Sequence, residues 1–214
     1  MKRYLRTSII ICILLCLPAL AEQVRQLSWE DLVPAKLLAD DPLTNLTADQ
    51  QDLVYWVVKT LQTLPKRGPD TEEFYKEVDE AIPELKKAGI DIAKLMAKIK
   101  VIQTSIVEEL SGQRVRIPGY LLPLEISGTK VTEFLLVPYF GACIHTPPPP
   151  PNQIIHVKKV PKEGYSIKKT YEAVWVTGVI SAKKMVKDLY YVDGSADINI
   201  GYSMLADQIE SYKK

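Results

Sequence analysis

A change of period near residue 110 constrains this chain more than any other feature. Before that point apolar residues recur at helical spacing. Beyond Ser111-Gly112, β-branched and aromatic residues alternate and turn signals multiply. A run of helices followed by a run of strands packs as an α+β chain rather than as alternating βαβ units.

The helical part has legible punctuation. Gln23 to Pro42 reads as a mostly irregular lead-in around SWEDLVP, with Trp29 and Leu32 as docking side chains. Thr47 and Gln50 have capping-box spacing, and Leu53, Val54, Val57, Val58 and Leu61 form one apolar stripe that stops before Pro65. After the turn LPKRGP, Asp70 with Glu73 repeats the start signal. Phe74, Val78, Ile82 and Leu85 make a second stripe, which Pro83 is expected to break. Gly89 reads as a C-terminal cap, and Ile92, Leu95, Met96, Ile99 and Ile102 form a third stripe. No ligand set lies among these residues, so their faces are read as packing surfaces.

Five strands are expected beyond residue 110. The first carries Val115 and Ile117, with a bulge or bend at Pro118-Gly119. The second is TEFLLVPYF, where Pro138 is expected to end the strand or to sit on an open edge, because proline cannot donate to a ladder. Asn152 to Val157, Tyr171 to Ile180, and a stretch around Ile198 to Met204 complete the set. SAKKMVKDLYY fits a short helix and a strand extension equally well. Strands with glycine and proline bends suit a small five-stranded OB-like antiparallel β-barrel, with a sandwich as the alternative. The expected organisation is residues 1–21 as a cleaved signal peptide, 22–110 as lead-in and helical segment, and 111–214 as the OB-like β domain.

The signal assignment rests on Lys2, Arg3 and Arg6, an apolar run from Ser8 to Leu17, and the small-x-small site Ala19-Leu20-Ala21. The run is too short to span a bilayer, which takes about 20 apolar residues, and Leu15 stands before Cys16 where a lipid-anchor signal places a small residue. Of 27 basic and 26 acidic residues, three basic ones leave with the signal, giving a formal charge of −2. That balance carries no electrostatic footprint for nucleic acid. Cys12 and Cys16 also leave, so Cys143 is the only thiol of the mature chain and no intrachain disulfide can form.

Cys143 sits in FGACIHTPPPPPNQIIHV. In extended backbone alternate side chains share a face, so Cys143 and His145 make a two-ligand bite for a borderline metal such as zinc or copper. Structural zinc takes four ligands; the candidates for completing the set are His156, the only other histidine, and the carboxylates Glu125 and Glu133. A Cys143/His145 nucleophile pair, with Asn152 or Glu125 orienting the imidazole, lacks a glycine-rich elbow or helix start for an oxyanion hole, and prolines donate no N–H. No resolving cysteine supports a redox role. The third possibility is recognition: a polyproline surface formed by Tyr139, Pro148, Pro149, Pro150, Asn152 and Gln153 for a protein partner. Its structural counterpart is a brace, with Tyr139, Phe140 and Tyr120 clasping the run internally.

RVRIPGYLLPLE, VTEFLLVPYFGACIHTPPPPPNQII, WVTGVIS and GYSMLADQIESY, together with SWEDLVP, resemble an exported bacterial family catalogued as domain of unknown function 3299. The resemblance spans roughly residues 110–212 and the lead-in, leaving the helical segment outside it. It implies a periplasmic or lipid-anchored protein of Gram-negative bacteria, associated with ABC-type export or metal-uptake components of the envelope. By position its motif residues are Cys143, His145, Pro147 to Pro151, Asn152, Gln153 and Glu125. The expectation is an exported, non-enzymatic accessory protein of envelope transport or metal homeostasis, holding zinc or another transition metal; the alternative is a metal-free adaptor.

Overall fold

A computed structural model of the chain describes residues 23–39, 43–44, 46–64, 66–142, 148–158, 164–168, 171–191 and 194–212. The expected signal peptide, Cys143, His145 and Pro147 lie outside them.

The lead-in forms strand β1 (Arg25–Gln26), a 3-10 turn (Glu30–Leu32) and a short helix α1 (Ala35–Ala39). Three longer helices follow: α2 (Ala48–Thr63), α3 (Glu72–Lys87) and α4 (Ile92–Thr104). The capping box is present as spaced. The Gln50 N–H donates to Thr47 Oγ1 at 3.3 Å, and the Thr47 N–H donates to Gln50 Oε1 at 3.1 Å. Helix α3 ends in a Schellman motif at Gly89, φ +84°, where the Ile90 N–H reaches Leu85 O and the Gly89 N–H reaches Lys86 O.

Two expectations for α3 are corrected. Its N-cap is Thr71 rather than Asp70, and Pro83 lies inside the helix without ending it. Pro83 removes one N–H from the ladder, but it faces solvent, while Val78, Ala81 and Leu85 bury the opposite side against Val54, Val57 and Leu95. Burial on both sides of the proline outweighs one missing hydrogen bond.

The β half is a barrel. Its strands are β2 (Arg114–Ser127), β3 (Lys130–Val137), β4 (Ile155–Lys158), β6 (Glu172–Tyr191) and β7 (Gly194–Ser211); β1 lies parallel to β2, and β5 (Tyr165–Ser166) adds to β3. Around the barrel the order is β2-β6-β7-β4-β3, and β2 pairs again with β3 to close it. Numbered among themselves, the five strands close as 1-2-3-5-4-1 with the third and fifth parallel, which is the OB topology. The barrel is therefore mixed rather than antiparallel throughout, because β4 and β7 are joined by a crossover and not by a hairpin.

Closure depends on β2 serving two neighbours. Tyr120 and Leu121 pair with β3 on one side and β6 on the other. A Cβ on Gly119 would lie 2.8 Å from Leu136 Cγ and 2.9 Å from Val137 O, so glycine is what lets the strands meet there. The expected irregularity appears later, as register shifts around Glu125. Inward residues at period two fill the barrel, among them Val115, Ile117, Phe134, Leu136, Ile155, Val176 and Tyr202. The lead-in caps this core: Leu32 is fully buried, and Trp29 Nε1 donates to Pro118 O at 2.8 Å.

SAKKMVKDLYY is strand. β6 and β7 outrun the barrel: β2 pairs with β6 only as far as Val179, and β4 meets β7 only from Tyr202. Among the described residues, the ends beyond these points form a two-stranded arm, with a register shift between Ala182 and Met185. The arm turns one face, Met185, Ile198 and Ile200, onto the outside of the barrel at Leu122, Leu135 and Val137.

Candidate metal-histidine site

β3 and β4 pair with Leu135 opposite His156. Glu133 stands two residues from Leu135 on the same face, within diagonal reach of His156. His156 is fully buried, and its Nε2 lies 2.5 Å from Glu133 Oε1. Lys187, on the arm, donates from Nζ to that same oxygen at 2.8 Å. A long arm lying against β3 and β4 is what brings these three residues together.

The charges follow from the surroundings. Burial holds the His156 imidazole below its ordinary pKa, despite the pull of Glu133. Burial also opposes ionisation of Glu133, but hydrogen bonds from Lys187 and His156 outweigh it and keep the carboxyl below its usual range. The contact is thus a neutral imidazole donating Nε2–H to a carboxylate, not an ion pair. That tautomer leaves a lone pair on Nδ1, which is buried and has no hydrogen-bond partner among the described residues.

The other expected site residues fall in three places. Glu125 is exposed, accepts from Thr132 Oγ1 at 3.4 Å, and sits at the bulge opposite Glu133. It is not brought to His156: among the described residues no three His, Cys, Asp or Glu side chains gather as a metal would need. Cys143 and His145 lie beyond the described residues. Ala142, which precedes them, is buried beside Leu135, Ile154 and Tyr171, on the face that carries His156. Tyr171 holds Ala142 there, donating from its hydroxyl to the Ala142 carbonyl at 2.5 Å while adopting φ +58°, a left-handed conformation unusual for a tyrosine.

The proline motif works as a brace over its described part. Pro149 is buried, and Pro151–Gln153 form a 3-10 turn. Asn152 is 1% exposed and donates from Nδ2 to Ile102 O at 2.7 Å and to Ser105 O at 2.9 Å, fastening the end of α4. Gln153 Nε2 donates to Trp29 O at 3.1 Å, fastening the lead-in. A Cβ on Gly201 would meet Pro151 O at 2.8 Å, so the turn is pressed onto β7. Of the residues expected to meet a partner, Asn152 and Gln153 are committed internally. Tyr139 and Pro148 border a cleft of about 430 Å³ against Tyr55 and Ile99, and Pro150 is half-buried. Phe140 packs on Tyr120 and Tyr171, with ring centroids 6.1 and 5.3 Å away.

Sequence reasoning named His156 and Glu133 but took both as candidate ligands; the structure makes Glu133 the partner of the histidine. Lys187 was missed, because only the path of the arm links it to β3.

Among the described residues no helix is long and apolar enough to cross a membrane. Comparison with curated proteins gave no match. Among solved structures, a DUF3299 family protein from Pseudomonas aeruginosa PAO1 is similar at 29% identity, over 90% of this chain and 98% of that one, with a TM-score of 0.47. The model of the family described as "Protein of unknown function (DUF3299)" matches residues 29–211, so the helical segment that the sequence motifs left outside the resemblance lies within the match. The chain belongs to the DUF3299 family.

Proposed function

We propose that this protein is an exported accessory protein of an envelope transport or metal-homeostasis system, and that it holds a transition-metal ion, zinc foremost, with His156 as a ligand joined by Cys143 and His145. One observation carries the reading. A buried nitrogen lone pair without a hydrogen bond is costly, of order 1–3 kcal/mol, and among the described residues His156 Nδ1 has no partner. A carboxylate on the far nitrogen of a ligand histidine fixes its tautomer and raises its basicity, and Glu133 holds that position. Thiolate and imidazole are donors for zinc and copper rather than for magnesium or calcium. Ala142 delivers the chain to the start of the Cys143–His145 segment on the same face as His156.

The periplasm is the proposed compartment, supported by the basic start, apolar run and small-x-small site of residues 1–21. A mature chain with one cysteine would keep that thiol from wandering into mixed disulfides by ligating it.

The test is calorimetric titration of tag-free, metal-stripped protein with zinc. The expected result is one equivalent bound, with affinity falling at least about tenfold in His156→Gln and in Cys143→Ser, the range in which zinc-site substitutions act. Unchanged affinity in His156→Gln removes that residue from the site, and no binding by the wild-type chain overturns the metal reading.

A further inference from the structure

We infer that the groove between the β6–β7 arm and the last turn of α4 is a docking site for an extended protein segment that carries acidic residues around one apolar side chain. Such a site is independent of the metal reading, since none of its lining residues is a ligand proposed there.

The groove exists because two projecting elements are each fastened elsewhere. The arm leaves the barrel held by the Gly112 N–H on Ile180 O at 2.8 Å, the Ile180 N–H on Gln113 O at 3.0 Å and the Ala182 N–H on Ser111 Oγ at 2.9 Å. The end of α4 is held by Asn152, and the proline turn is pressed onto β7 at Gly201. Between them is a groove of about 440 Å³ whose apolar lining is Pro151, Met185, Val186 and Ile200. Walls fixed beforehand keep the ordering cost of binding low.

Charge selects the occupant. Lys100 lines the groove from α4 and Lys184 from the arm, both exposed, and no Asp or Glu lines it. Neither ammonium has an ion-pair partner among the described residues, whereas Arg67, Arg114, Arg116 and Lys187 all have one. Lysines on an exposed strand can serve simply to discourage pairing with another strand. That accounts for Lys184 but not for Lys100, which stands on a helix and meets the same groove. The apolar lining then decides between an acidic peptide and an anionic lipid. Val186 is 57% exposed, so an acyl chain lying here would keep much of its length in water. A peptide has one side chain to bury against Met185, Val186 and Ile200, and flanking carboxylates to meet the lysines. The Asn199 amide, opposite Val186 in the arm, has no hydrogen bond among the described residues and offers a peptide backbone both a donor and an acceptor.

The test is selection of a displayed random-heptapeptide library on the tag-free protein, followed by fluorescence anisotropy of the enriched peptides. Sequences with two or more acidic residues beside a bulky apolar one are expected. Their affinity should fall at least about tenfold when Lys100→Glu and Lys184→Glu are combined, and should weaken as salt is raised, because rim charges act through a screened attraction. Val186→Asp should weaken binding comparably. Lys76→Glu, which reverses an exposed charge on α3 outside the groove, should leave affinity within about twofold. A library that yields no peptide, enriched peptides without acidic residues, or acidic peptides that bind the double variant as well as the wild type would each overturn the inference. So would phosphatidylglycerol vesicles that bind through the same two lysines where peptides do not. Zinc titration of the double variant should match the wild type, which separates failure of the docking site from failure of the metal reading. Circular dichroism confirms that each variant keeps the fold.

Discussion

Replacing Asn152 with alanine tests whether the proline motif is a brace. The side chain is 1% exposed, and both Nδ2 protons are used, one on Ile102 O at 2.7 Å and one on Ser105 O at 2.9 Å. Both acceptors lie at the end of α4, where carbonyls have no partner in the helix itself. Each lost hydrogen bond to a sheltered carbonyl costs about 1–1.5 kcal/mol, so Asn152→Ala should destabilise by about 2–3 kcal/mol. For a chain of this size that is a fall in Tm of about 5–10 °C. Asn152→Asp keeps the shape but turns a carboxylate oxygen toward two carbonyls, and should be at least as damaging. Pro148→Ala, at an exposed position, should change stability by less than about 0.5 kcal/mol. Thermal unfolding followed by circular dichroism measures all three. If Asn152→Ala unfolds within 1–2 °C of wild type, the motif is not fastening helix to barrel, and its prolines would have to be explained as a surface for something else.

Further outcomes follow from the same contacts. Tyr202→Phe should cost about 2–4 kcal/mol in urea unfolding, because the buried hydroxyl accepts from the Val107 N–H at 2.6 Å and donates to Leu32 O at 2.7 Å, leaving two groups orphaned. Gly178→Ala should cost about 3 kcal/mol or more, or prevent folding, since its Cβ would collide with Leu205 O and lie 2.7 Å from Ala206 Cα; wild-type solubility and Tm would contradict the strand register. Acid should destabilise the protein. His156 is buried and neutral with its pKa lowered, so below about 6.5 the unfolded chain takes up a proton that the folded chain refuses. The depressed Glu133 adds a further loss at lower pH. The urea midpoint should therefore drop from pH 7.5 to pH 5.5, and the drop should shrink in His156→Gln.

Local signals in the sequence predicted local structure well. Thr47 with Gln50 and Gly89 each name a backbone group and the atom that satisfies it, so a cap can be read from two or three residues. The presence of five barrel strands, the end of β3 before Pro138 and the docking of Trp29 and Leu32 were legible too, but the third strand, expected from Asn152, begins only at Ile155 because Pro151–Gln153 form a 3-10 turn. Pro83 misled because the rule against proline in a helix concerns one hydrogen bond, whereas the helix is held by what Val78, Ala81 and Leu85 bury on either side. The parallel pairing of β4 with β7 was invisible, since strand order is decided by closure and not by any residue within a strand.

The site shows the same division. His156 stood out as one of two histidines, and Glu133 as a carboxylate on the preceding strand. Their relation needed the register that sets Leu135 opposite His156. Lys187 needed more: 54 residues separate it from Glu133, and one of two equally good readings of SAKKMVKDLYY made its segment a helix. Alternation there is weak because the arm is bent by a register shift, which breaks the period that marks a strand.

The most direct test of the metal reading is the metal content of protein purified without a polyhistidine tag. Mass-spectrometric analysis should find close to one equivalent of zinc or copper in the wild-type chain, and a sharply reduced amount in His156→Gln. Less than roughly a tenth of an equivalent in the wild type under metal-replete conditions would contradict the account, because a thiolate-imidazole site should retain its ion through purification.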